Sequence, residues 1–183
     1  ITNSSSGSQT VTLGLNLGAS QNFNAASGDL TVAGAVTNNG FMLTLNGAYN
    51  TTLSGNISGS GSLTQSGTGT TTLSGSNSYT GTTLNAGTLV VGNTNALGAT
   101  NAGLNVASGT LNNNGYSVRV GAVSIGNGSI TGSGTITGTS FSATNTGAAS
   151  IANSLAGTGS LTQRGAGTTT LSDSNSYTGT TTV

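Results

Sequence analysis

Histidine, cysteine, proline, tryptophan, lysine and glutamate do not occur in this chain of 183 residues. Without histidine or cysteine there is no Ser-His-Asp or Cys-His nucleophile system. Zinc, haem and iron–sulfur sites fail on the same ground. Charged residues make up 2% of the chain, and all of them can be named: Asp29, Arg119, Arg164 and Asp173. Two carboxylates cannot easily cage calcium or magnesium. Two arginines on a chain of formal net charge +0 give no electrostatic footprint for nucleic acid or an anionic membrane. No apolar run approaches the ~20 residues that span a bilayer, and no stretch reads as a signal peptide. The expectation is a non-enzyme without catalytic residues, cofactor or metal, which neither binds nucleic acid nor inserts this segment into a membrane.

Gly, Ser, Thr and Asn supply about 63% of the chain, and aromatic residues only 4%. Disorder by composition normally requires high net charge, which is absent. The apolar residues also alternate with polar ones, as in Val11-Leu13-Leu15-Leu17, Leu43-Leu45, Leu89-Val91, Leu104-Val106 and Val123-Ile125. Period two with threonine filling is a strand signal, and no helical period runs for a useful length. The fold class is therefore all-β. A sandwich needs a wide core, commonly with aromatics; two or three apolar residues per short strand suit the narrow core of a β-solenoid instead. Three strands and three turns per coil take ~20–24 residues, so the chain forms about eight or nine coils and a rod near ~40 Å long.

An internal repeat is the strongest feature. Residues 59–83 read GSGSLTQSGTGTTTLSGSNSYTGTT, and residues 157–181, placed 98 positions later, differ at four of those 25. The exceptions are Ser60/Thr158, Ser66/Arg164, Thr68/Ala166 and Gly75/Asp173. For both copies to sit in register, 98 residues must make four or five whole coils. The chain reads as a single continuous solenoid segment over 1–183.

The string at 59–89 resembles the passenger-associated transport repeat (autotransporter-associated β-strand repeat) of bacterial autotransporter passenger domains. The matching positions are Leu63, Gly67, Gly69, Leu73, Gly75, Asn77, Tyr79, Thr80, Gly81 and Gly87-Thr88-Leu89, and in the second copy Leu161, Gly165, Gly167, Leu171, Asn175, Tyr177 and Gly179. Segment 28–47 is similar to the coils that commonly precede this repeat. Gln65 and Gln163 stand where the repeat usually has Lys, Thr71 and Thr169 where it usually has Leu, and one glycine of the T-G-G-T step is missing. The resemblance implies a right-handed parallel β-helix, extracellular or on the bacterial cell surface, exported through an outer-membrane barrel by type V secretion. It also implies that the chain is a piece of a longer protein.

The function expected from these readings is a structural or adhesive segment of a bacterial surface or fibre protein. The alternative is a glycan- or ice-binding solenoid that uses Thr and Tyr faces. Tyr79 and Tyr177 could stack on sugars or cover a coil corner; Asn77 and Asn175 could touch a ligand, hold a turn or form an amide ladder. The outward pairs Thr70/Thr72 and Thr168/Thr170 suit ice binding only if such pairs recur on successive coils, and in sequence they recur every 98 residues. Arg164 and Asp173 read either as a surface pair or as independent changes. Expected partners are further coils, either flanking or from head-to-tail self-association, besides a surface glycan or host ligand.

Overall fold

The dominant residues favour short β segments closed by tight corners. Threonine is β-branched and suits strands, while glycine and asparagine suit turns. The computed structural model describes residues 1–183. Every strand pairs in parallel, and the strands stack into three sides of a solenoid.

The first side has ten strands: Thr2–Asn3, Gln21–Ala25, Leu43–Gly47, Leu63–Gln65, Gly81–Leu84, Gly103–Val106, Ala122–Ile125, Ser140–Ala143, Leu161–Gln163 and Thr181–Thr182. Nine pairing steps therefore carry the chain from its first strand to its last. At ~4.8 Å per step the rod is ~43 Å long. The second side has nine strands, from Gln9–Val11 to Thr168–Leu171. The third side is broken into two sheets of three, Leu15–Asn16 with Val36–Thr37 and Ile57–Ser58, then Val118–Arg119 with Thr135–Thr137 and Ser154–Ala156.

Partners on the first side are 18 to 22 residues apart, as in Val123↔Phe141 and Thr82↔Leu104. The coils are shorter than the expected 20–24 because third-side strands hold only two or three residues. Leu63 leads through Thr82, Leu104, Val123 and Phe141 to Leu161, so the two motif copies lie five coils apart. Inward side chains such as Phe23, Leu45, Leu53, Leu104 and Ile130 form one continuous column of 33 residues, the only core the fold builds.

Two sequence expectations need correction. The run Val11-Leu13-Leu15-Leu17 is not one strand: it turns a corner between Gln9–Val11 and Leu15–Asn16, leaving Leu13 74% exposed. The second side also loses register with the repeat. Thr71 leads through Leu89, Leu111, Ile130 and Ile151 to Leu171, not to its sequence equivalent Thr169. The slip arises at the corner of residues 144–147, where Asn145 turns inward and its Nδ2 donates to Gly147 O at 2.6 Å and Thr168 O at 2.9 Å. The strand beyond that corner sits three residues further along. The step Thr71↔Leu89, one residue shorter than Leu63↔Thr82, leaves a net slip of two.

Candidate functional site

The repeated motif builds a corner and then a stop. Leu63 and Leu73 are fully buried on adjacent sides; in the ninth coil Leu161 is buried and Leu171 half-buried against the same column. Between them the chain turns through Gly67 and Gly69, or Gly165 and Gly167, hard against the coil below. A Cβ on Gly67 would lie 2.3 Å from Gly47 O, and one on Gly165 2.0 Å from Asn145 O. Only glycine allows that approach. Gly81 is different: its nearest neighbour would be Gly103 O at 3.5 Å, ordinary contact.

Gln65 fills the inside of this corner. Its Nε2 donates to Gly67 O at 3.0 Å and Gly69 O at 3.3 Å, and its Oε1 accepts from Thr71 Oγ1 at 2.6 Å. Gln163 does the same with Gly165 O, Gly167 O and Thr169 Oγ1, at 2.9, 3.1 and 2.8 Å. The departures from the repeat's usual Lys and Leu are thus two halves of one hydrogen-bonded pair, present in both copies, buried in the first and half-buried in the second.

Asn77 and Asn175 end the third side. Asn77 Oδ1 accepts from Ile57 N at 2.8 Å, and Asn175 Oδ1 from Leu155 N at 2.9 Å. Each side chain takes the place of the next strand's carbonyl, which is why each three-stranded sheet stops one coil below the motif. They form no amide ladder. Tyr79 lies wholly inside the solenoid, its hydroxyl 3.1 Å from Thr82 Oγ1 and donating to Ala96 O at 3.0 Å. Burial raises its phenol well above the usual tyrosine pKa, with the Thr82 hydrogen bond pulling the other way. No sugar can reach that ring. Tyr177 is half-buried, its ring centroid 5.8 Å from that of Phe141 and its hydroxyl 2.7 Å from Thr181 Oγ1. Gly179, beside it, packs 2.5 Å from Gly159 for a notional Cβ.

Pairing across coils creates surface features that the repeat spacing hides. On the outer face of the first side, Asn22, Thr44, Thr64, Thr83, Asn105, Ser124, Ser142, Thr162 and Thr182 stand in one unbroken column. On the second side one column runs Thr10-Thr31-Thr52-Thr72, and another Thr70-Thr88-Thr110-Ser129-Ser150-Thr170. Outward hydroxyls therefore do recur on successive coils, supplied by strands of unrelated sequence, although a paired Thr-x-Thr rank does not. Beside the first column, Gly81, Gly103 and Ala122 leave a shallow trough of ≈ 350 Å³.

The four charged residues do not converge. Arg164 sits in the corner after Leu161–Gln163, and Asp173 in the corner after Thr168–Leu171, where its Oδ1 accepts from Ser174 N at 2.7 Å. Asp29, seven coils below Asp173 and so ~34 Å away along the axis, accepts from Asn50 N at 3.0 Å and holds a turn.

Stacked parallel coils, a single narrow core and a corner motif used twice define a β-solenoid of repeat construction. The family model of the passenger-associated-transport-repeat matches residues 63–91 and 161–183, the fourth coil with part of the fifth and the ninth coil with the strand above it. No curated protein and no solved structure gave a match. The repeat and the solenoid together fit a segment similar to an autotransporter passenger, and the repeat's family suggests an extracellular or surface location.

Proposed function

We propose that this chain is a non-catalytic structural or adhesive segment of a bacterial surface or fibre protein. The observation that carries the reading is the motif at 63–91 and 161–183, matched to a passenger repeat and built into the corners and coil-to-coil contacts of the solenoid. Its glycines make close corners, its Gln–Thr pair satisfies buried polar groups and its Asn and Tyr join coils. The charged groups that could do acid–base work stand apart, as Asp29 and Asp173 do. Coils of this kind lengthen by stacking, and the partners proposed are further coils, flanking or from head-to-tail self-association. Contacts made of backbone hydrogen bonds and apolar burial, on a chain with only four charged residues, leave little charge for salt to screen. The test is protease shaving of intact producing cells: release of peptides from 1–183 without lysis supports the reading, and their recovery only after lysis contradicts it.

The hydroxyl columns favour one further reading, a neutral ligand held along an outer face. Glycan-array binding or ice-recrystallisation inhibition that disappears when Thr64, Thr83 and Thr162 are changed to Lys would establish it. Neither activity in the unchanged chain would remove it.

A further inference from the structure

The upper face of the ninth coil reproduces the face that the fourth coil turns to the fifth. The Gln–Thr pair (2.6 and 2.8 Å) and the asparagine bonded to the coil below (2.8 and 2.9 Å) recur at similar distances. The tyrosine hydroxyl again meets a threonine, Thr82 at 3.1 Å and Thr181 at 2.7 Å. Gln163 and Thr169 also bond Asn145 Oδ1, where the fourth coil has Gly47 below it. The cover of the fourth coil therefore serves as a template for whatever covers the ninth.

That cover has an unusual shape. Between Thr88–Val91 and Gly103–Val106 the fifth coil carries no third-side strand but a bulge at 93–102. The bulge points two carbonyls inward. Ala96 O accepts from Asn77 Nδ2 at 2.7 Å and from Tyr79 OH at 3.0 Å, and Leu97 O accepts from Thr82 Oγ1 at 3.2 Å. Gly98, at φ +99, crosses the Tyr79 ring, where a Cβ would lie 2.9 Å from two ring carbons. In the ninth coil the same groups meet other neighbours. Asn175 Nδ2 donates to Asp173 O at 2.8 Å, Tyr177 is half-exposed, and Leu161, Gln163, Thr169 and Leu171 line a cleft of ≈ 350 Å³.

We infer that this face receives a solenoid coil with the chemistry of residues 81–102: uncharged, with inward apolar residues on two sides and a bulged third side that brings two carbonyls and a glycine over Asn175 and Tyr177. The first coil of a second copy is a poorer match. Its third side is the regular strand Leu15–Asn16, and it would carry the inward Leu15 and Leu17 side chains where Tyr177 needs a glycine. The inference rests on the fold and stands whether or not the surface role holds.

Two extended chains test it. Thr181 pairs with Leu161 as Thr82 pairs with Leu63, so Val183 falls in the column of Leu84. One chain carries the sequence of residues 85–106 after Val183, and the other the sequence of residues 2–22. The readout is nitration of Tyr177, located by mass spectrometry, with Tyr79 protection in the same digest reporting that the solenoid below is folded. The first extension is expected to slow Tyr177 nitration at least about tenfold over the unextended chain, and a Gly→Val change at the appended equivalent of Gly98 to abolish that protection. Equal protection by the second extension, or no protection by the first while Tyr79 stays protected, would overturn the inference.

Discussion

Gln65 and Thr71 give the sharpest energetic test, because each is the other's only side-chain partner inside the corner. Thr71→Val keeps the shape and leaves Gln65 Oε1 buried without a donor, a loss of about 1–3 kcal/mol. Gln65→Leu strips Thr71 Oγ1 and the Gly67 carbonyl of that partner. Two such losses, less the ~1–2 kcal/mol gained from added apolar burial, leave a destabilisation centred near ~2–3 kcal/mol. The double variant leaves only the Gly67 carbonyl without that partner, so it should be less destabilised than the sum of the singles, by a coupling of at least ~2 kcal/mol. Urea unfolding followed by far-ultraviolet circular dichroism measures it, provided the m-values agree among the four proteins. The same cycle at Gln163 and Thr169, half-exposed on the end coil and each also bonded to Asn145 Oδ1, should give a smaller coupling, below ~1 kcal/mol. Additivity within ~0.5 kcal/mol at Gln65 and Thr71 would refute the buried pair.

Other outcomes follow from the same geometry. Tyr79 is held neutral by burial, so the folded pKa lies above the unfolded value of ~10; stability is unaffected below that pH and falls above it by up to ~1.4 kcal/mol per pH unit. Tyr79→Phe should remove that component of the alkaline fall while costing ~1 kcal/mol at neutral pH, and a titration of the melting temperature with an unchanged alkaline limb would count against it. Gly98→Ala should lower stability by at least ~1–3 kcal/mol through its positive φ and its contact with the Tyr79 ring, and a neutral result in thermal melts would place the bulge elsewhere. Asn113 is buried with neither its Oδ1 nor its Nδ2 bonded, so Asn113→Leu should be neutral or stabilising; a loss above ~2 kcal/mol would mean that this amide has a partner.

The solenoid was legible because it depends on local rules. Alternation around Leu43-Leu45 and Leu104-Val106 gave strands, glycine density gave corners, and a near-identical duplication gave a whole number of coils. Misreadings came where pairing, rather than chain order, decides placement. Leu13 obeys the period-two pattern and still lies outside, because a corner falls within the run. The column from Asn22 to Thr182 links residues of nine different strands at uneven spacing, so no fixed offset in the sequence exposes it. Tyr79 was open between surface and corner, since its burial depends on Ala96 and Gly98 of the next coil, outside the first 25-residue motif copy at 59–83. The Gln–Thr corner did leave a signal: both copies depart from the usual repeat at the same two positions. The Asn-Asn-Gly-aromatic turns at Asn38–Phe41 and Asn113–Tyr116 were equally visible as Asn-Gly signals, and both asparagines preceding glycine have positive φ, 52° and 49°.

The central claim is that parallel coils stack along one axis with the two motif copies five coils apart. Thr64 and Thr162 are equivalent positions on one outward column, and the absence of native cysteine lets each be replaced by Cys and spin-labelled without other changes. Pulsed electron–electron double resonance on Thr64→Cys/Thr162→Cys should give a narrow distribution centred near ~24 Å, five steps of ~4.8 Å. A broad distribution around ~50–60 Å, as a flexible chain of that separation would give, or a narrow one far from ~24 Å, would contradict the account.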